Sequence, residues 1–231
     1  MKKFLITILL AACSAEESAP QTAPKPFDVV DLSWRERVAA DLAAGRTGPS
    51  VVLDRLARKV DSEEVRVSLV EALPRNGGIY ADALADLFVD EGSVKVRAAF
   101  VRATPSEQIL PIMRRAFADS STEVRIVAVR TAASHPVCER LASELRTALN
   151  DSDAALRAEA AKSIGVLKIE AARAELVRAL GDGNAEVRLE AMRALDTIAP
   201  GSLAGTAAVT QLRSDPDVRV AELAQKLAVR Q

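Results

Sequence analysis

One pattern limits what this chain can become: an acidic turn, an aliphatic residue, an arginine and then an amphipathic run, written six times. The pairs are Val65-Arg66, Val96-Arg97, Val124-Arg125, Leu156-Arg157, Val187-Arg188 and Val218-Arg219. Their arginines stand 31, 28, 32, 31 and 31 residues apart. A steady period of about 20–50 residues means stacked supersecondary units, since each unit buries its apolar face only against its neighbours. Within each period the apolar residues recur three and four apart, twice over. Val187, Ala191, Ala194 and Leu195 form one such face after the arginine, which is the spacing of a buried helical stripe.

The helix boundaries are also written in. Asp61, Glu91, Asp119, Asp151, Asp182 and Asp215 precede their arginines by four to six residues, and short polar residues accept the unpaired N–H groups of a helix start. Ser120 with Glu123, and Ser33 with Glu36, have capping-box spacing. The first helix of each period reads from "PSVVLDRLARKV", "YADALADLFVD", "PSEQILPIMRRAF", "PVCERLASELRTAL", "IEAARAELVRAL" and "GSLAGTAAVTQL". Pro49, Pro105 and Pro136 lie where a helix begins without losing a needed donor.

The unit "D-x-[small/acidic]-x-x-V-R-x-x-A-x-x-A-L" resembles the HEAT-like repeat, in the short form also found in phycobilisome lyases. The resemblance covers residues 48 to 231 and implies an all-α, right-handed α-α superhelix of about six helix pairs. It also implies a ladder of charge-assisted hydrogen bonds between the turn acids and the repeat arginines. Its members here are Asp61, Asp119, Asp151, Asp182 and Asp215 with Arg66, Arg97, Arg125, Arg157, Arg188 and Arg219. Arginine suits that role because its planar guanidinium makes several bonds at fixed angles. The other reading of these arginines is a basic column offered to a ligand. Pro216 shortens the last turn, which marks the final unit as a cap. Helix axes pack about 8–10 Å apart, so six pairs make a curved rod of roughly 50 Å with the second helices on its concave side.

Ahead of the repeats lie three further segments. "MKKFLITILLAAC" has two lysines, a short apolar run from Phe4 to Ala12, and Cys13. The run is too short to span a bilayer, which takes about 20 residues, and it has the layout of a secretory signal peptide over residues 1–12. Leu10-Ala11-Ala12-Cys13 resembles the lipobox of bacterial lipoproteins, which implies lipidation at Cys13; the alternative is an ordinary signal with an incidental cysteine. Ser14 in place of Asp implies sorting to a Gram-negative outer membrane. Residues 13–27 are rich in Pro, Ala, Ser and Glu and are expected to be a disordered tether. Residues 28–47, with Trp34, are expected to be an N-terminal capping helix.

Removing Lys2 and Lys3 changes the balance of 31 basic and 32 acidic side chains to 29 and 32, a net charge of −3. That argues against nucleic-acid binding of the kind some HEAT-like DNA glycosylases show, because such affinity comes mainly from neutralising phosphates. Cys138 remains as a lone thiol, read as a small core residue or a reactive group. His135 is the one histidine and sits before Pro136 in a turn. No Cys/His spacing fits a metal, no nucleophile has a base at a recognisable spacing, and "NGG" at 76–78 is a loop. No metal, cofactor or catalytic residue is expected.

One further regularity remains. Five residues after the repeat arginines stand Glu71, Arg102, Arg130, Lys162, Arg193 and Ala224. Arg102, Arg130, Lys162 and Arg193 form a candidate basic strip for a partner, or an ordinary solvated face with pairs such as Glu159–Lys162 and Glu190–Arg193. The aromatics Phe27, Trp34, Tyr80, Phe88, Phe100 and Phe117 all precede residue 118, as a cap or as binding anchors. The expected function is a membrane-tethered interaction scaffold of the bacterial envelope, not an enzyme, binding an envelope protein on its concave face. The alternative is a phycobilin-lyase-like enzyme or a small-ligand-binding solenoid.

Overall fold

A computed structural model describes residues 48–73, 81–103, 109–134 and 138–229. The signal, tether and capping-helix segments, Cys13, Trp34, Tyr80, Pro105, His135, Pro136 and the Ser33–Glu36 capping box lie outside the described residues. The described residues form twelve α-helices and no strand. Contacts divide the chain into two compact units, up to residue 105 and from 106 onward.

The first unit holds α1 (Pro49–Arg58), α2 (Glu63–Ala72), α3 (Ala81–Asp90) and α4 (Val94–Ala103). Pro49 opens α1, where its missing donor costs nothing. Helix α2 packs on α4, and Val65, Leu69, Val96 and Phe100 are buried. Phe88 and Phe100 meet edge to face, with ring centroids 6.4 Å apart. These two aromatics are therefore core.

The second unit holds four pairs: α5 (Ile109–Phe117) with α6 (Thr122–Ala133), α7 (Ala142–Ala148) with α8 (Ala154–Val166), α9 (Arg173–Ala179) with α10 (Ala185–Ile198), and α11 (Ala207–Leu212) with α12 (Val218–Ala228). Helices α7 and α9 are entered through 3-10 turns at Cys138–Leu141 and Glu170–Ala172, so the first helices are shorter than their apolar pattern suggests. The stretch before α11 is a turn, with Gly201 and Gly205 at φ of 76° and 70°, a conformation that glycine adopts without the penalty other residues pay. The second helices stack in order, α6 on α8, α8 on α10 and α10 on α12. Between α8 and α10 the approach is close because small residues face one another: a Cβ on Gly165 would lie 2.8 Å from the Ala194 Cα.

The repeat arginines tie neighbouring pairs together. Arg125 donates Nε and Nη2 to the two Asp151 carboxylate oxygens, each at 3.0 Å. Arg157 does the same to Asp182 at 2.8 and 2.9 Å, and Arg188 to Asp215 at 2.8 and 2.7 Å. In each case Nη1 reaches back, at 2.8 Å, to the main-chain carbonyl of the arginine's own turn acid, Asp119, Asp151 or Asp182. In the first unit Arg66 takes Glu91 as its carboxylate, at 3.1 and 3.2 Å, and the Asp61 carbonyl at 2.6 Å. Arg97 donates to the carbonyls of Glu91 and Gly92 at 2.9 and 3.0 Å. The Asp61 carboxylate receives Arg55 of α1 rather than a repeat arginine.

The turn acids have a second task. The carboxylates of Glu91, Asp119, Asp151, Asp182 and Asp215 each accept the backbone N–H two residues on, at 2.8–2.9 Å. They hold the turn, and the residue two places later caps the helix, as Asp153, Asn184 and Asp217 do. This moves the expected capping box: Ser121, not Ser120, precedes α6, and it makes no side-chain cap bond.

The last repeat needs a correction of register. Arg66, Arg97, Arg125, Arg157 and Arg188 are each the fourth residue of their helix, whereas Arg219 is the second of α12. Val218 is 65% exposed and Val220 is fully buried. Val220 therefore matches Val187, and Ala221 stands where the ladder arginine would be. Arg219 is not a rung. It pairs with Asp217 at 3.0 Å and reaches back to Glu186 at 2.8 Å. Pro216 does not shorten the turn, since Asp215, Asp217 and the helix start at Val218 have the spacing of Asp182, Asn184 and Ala185; the Val-Arg pair simply lies two positions earlier in the helix.

Candidate functional site

The second-helix face of the second unit is built from positions left over after packing. Through their middles α6, α8 and α10 are buried or half-buried with one exception each, because each is gripped by its own first helix and by the second helices beside it, while the end helix α12 exposes Glu222, Gln225 and Lys226. One residue in the middle escapes. In α6 it is Arg130, in α8 Lys162 and in α10 Arg193, with side chains 65%, 59% and 54% exposed. Counting from the turn acid instead of the Val-Arg pair, this position is eleven residues on, and in α12 it is Lys226, not Ala224. Ala224 is buried and Lys226 is exposed. The run of cations in this unit is therefore Arg130, Lys162, Arg193 and Lys226. Arg102 holds the same position in α4 of the first unit, exposed there, while in α2 the ninth helical residue is Glu71, ten residues after Asp61.

Carboxylates are set between the cations. Glu159 accepts from Arg130 at 3.3 Å and lies 3.9 Å from the Lys162 ammonium. Glu190 accepts one N–H of Arg193 at 2.5 Å. Both acids are far less exposed than the bases, at 17% and 12%, so they form the floor and the cations stand above it. Arg130 and Arg193 each use one terminal nitrogen on these acids, leaving the rest of a five-donor fork directed elsewhere. Lys226 makes no ion pair among the described residues. Beside it, Glu186, Leu189, Arg193, Arg219, Glu222 and Leu223 border a shallow depression between α10 and α12 of about 370 Å³.

The first-helix side carries a second set of ion pairs that the sequence reading missed. Arg114 of α5 donates to Glu144 of α7 at 3.1 Å, and Arg146 of α7 donates to Glu175 of α9 at 3.0 Å. These bonds run between successive first helices, about one repeat apart in sequence.

The perturbed acids are structural. Hydrogen bonds from Arg157 hold the Asp182 carboxyl below the usual range, helped by the Asn184 N–H and opposed by burial. Arg188 does the same for Asp215, and Arg146 for Glu175. At Asp151 burial pushes upward, but the bonds from Arg125 and the Asp153 N–H outweigh it and the carboxyl is lowered. Among the described residues every resolved carboxyl shift is downward, the reverse of what a general acid needs near neutrality. No group of His, Cys, Asp and Glu among the described residues could hold a metal ion. The side chain of Cys138 lies outside the described residues.

Comparison with known proteins bears on the repeat fold. No curated protein matches the chain. The solved structures it is similar to include the Escherichia coli protein YibA, with a TM-score of 0.53, 17% identity, and 90% of this chain and 75% of that one covered. A designed armadillo repeat protein aligns with a TM-score of 0.49, 20% identity, and coverage of 78% and 98%. The YibA likeness shows the all-α repeat fold. The model for HEAT repeats matches residues 142–228, which span α7 to α12.

Proposed function

We propose that this chain is a lipid-anchored scaffold of the bacterial envelope that binds a partner protein on its second-helix face and carries out no chemistry itself. The fold supports the coarse part: repeat proteins of this kind present extended surfaces typical of protein–protein interaction. One observation carries the choice of face. The ninth residue of α6, α8, α10 and α12 is an exposed cation each time, and in α6, α8 and α10 it is the one exposed residue in the middle of the helix. Packing requires no charge there, and the turn ladder that does stitch the repeats is a separate set of arginines.

The anchor rests on residues 1–13, where a basic start, a short apolar run and Leu10-Ala11-Ala12-Cys13 resemble a lipoprotein signal. Among the described residues no helix is long and apolar enough to cross a membrane. Two or more acyl chains on Cys13 would hold the protein stably at a bilayer, on the reading of Ser14 the outer membrane facing the periplasm. The test has two arms. Labelled palmitate should enter the natural chain and not a Cys13→Ser variant. A partner crosslinked in envelope membranes should be lost when Arg102, Arg130, Lys162 and Arg193 are changed to Glu. A partner retained by that variant places binding on another surface, and unlabelled natural chain removes the anchor.

A further inference from the structure

We infer that the partner segment seated on this face is an acidic polypeptide in polyproline II conformation, with a carboxylate at every third residue. The inference rests on the scaffold reading above. It follows from the corrected register, which extends the cation run to Lys226 and makes it continuous over four successive helices of one unit.

The argument is one of matching periods. Helices α6, α8, α10 and α12 pack directly on one another in order, and packed helices are about 8–10 Å apart. One cation per helix at a constant position therefore gives a row with that spacing. A polyproline II segment has three residues per turn and rises about 3.1 Å per residue, so its same-face side chains recur about every 9.3 Å. A β-strand repeats its face every two residues, about 6.7 Å, and falls out of step after one repeat. An α-helix laid along the row offers residues seven apart at about 10.5 Å, just beyond that spacing. Polyproline II also leaves its own N–H and C=O groups solvated, so it needs no backbone partner from a face that consists of helices and offers none.

The sign of the partner follows from the floor. Glu159 and Glu190 are 17% and 12% exposed against 54–65% for Arg130, Lys162 and Arg193, so the more exposed charge along this row is positive. Lys226 makes no ion pair among the described residues, with Glu222 one turn before it. A basic segment would meet the four cations first.

The experiment uses the full chain and three fluorescent acidic peptides of equal charge: (Glu-Pro-Pro)4, an isomer with its four Glu contiguous, and a helical peptide with Glu at every seventh position. Anisotropy at low and high salt gives the affinities. The expected result is that the first peptide binds about tenfold tighter than either other, from summed weak exposed pairs, and loses affinity with salt. Lys226→Gln alone should weaken it, and Gln at Arg130, Lys162, Arg193 and Lys226 together should abolish the preference. Equal binding of the three peptides, preference for the helical one, or no binding by any overturns the inference. The scaffold reading fails separately, if no envelope partner crosslinks to the second-helix face; a crosslinked partner whose contact segment is not acidic leaves the scaffold standing and overturns this inference.

Discussion

Removing the carboxylate of Asp182 should measure what one rung of the turn ladder contributes. Asp182 accepts two bonds from Arg157, at 2.8 and 2.9 Å, and the Asn184 N–H at 2.8 Å. The two side chains are 18% and 14% exposed, so the pair belongs between a buried and a surface ion pair. Hydrogen bonds to charged groups contribute about 1.5–3 kcal/mol when sheltered, against about 0.2–1 for exposed pairs. The geometry is bidentate and sheltered, which puts the coupling at about 2 kcal/mol. Asp182→Ala itself should cost about 2–3 kcal/mol, since the Asn184 N–H loses its acceptor too. With a urea slope of about 2 kcal/mol per molar, the midpoint falls by about 1 M. The assay is a double-mutant cycle of Asp182→Ala and Arg157→Ala, followed by circular dichroism in urea at neutral pH. A coupling below about 0.5 kcal/mol would refute the reasoning, because it would make the rung no better than a surface pair.

Four further outcomes follow from the same geometry. Arg188→Ala should shift the urea midpoint much as Arg157→Ala does, and Arg219→Ala should leave it in place, because Arg219 sits exposed off the ladder. The carboxyls of Asp182 and Asp215 are lowered in the folded chain. Their stabilisation is therefore complete above the unfolded value of about 3.9 and is lost as pH falls through the lower folded values; Asp182→Asn should make the fall in midpoint below about pH 4 shallower. Gly165→Ala should destabilise by about 1 kcal/mol in thermal melts, since overpacking against the Ala194 backbone at 2.8 Å costs about 1–3 kcal/mol and improved helix propensity returns about 1. Lys168 holds φ at 51° just past α8, so Lys168→Gly should stabilise by about 0.5–1 kcal/mol in the same assay.

The helix pairs were legible because the turn chemistry repeats at near-constant steps and each helix face recurs three and four apart. The last register was misread for a physical reason. The turn at Pro216 has the same length as the others, with Asp215 three residues before its helix as Asp182 is, but a Val-Arg pair occupies the first two helical positions instead of the third and fourth, and identity of letters outweighed burial. Counting six residues from Asp215 would have found Ala221, and counting eleven would have found Lys226. The capping box slipped for a related cause: Asp119 takes the Ser121 N–H at 2.8 Å and fixes the turn one residue later than spacing alone suggests. The first-helix pairs Arg114–Glu144 and Arg146–Glu175 carried no readable signal. They join first helices of which two are entered through 3-10 turns, so their sequence spacing looks accidental until the helices are stacked.

The most direct test of the scaffold reading is to place a photocrosslinking residue at one of two sites in the native membranes. The first site is Lys162, on the second-helix face of α8, and the second is Arg173, exposed at the start of α9. A single discrete adduct from position 162 and none from position 173 is the predicted result. An adduct from position 173 alone, or none from position 162, would contradict the assignment of partner binding to the second-helix face.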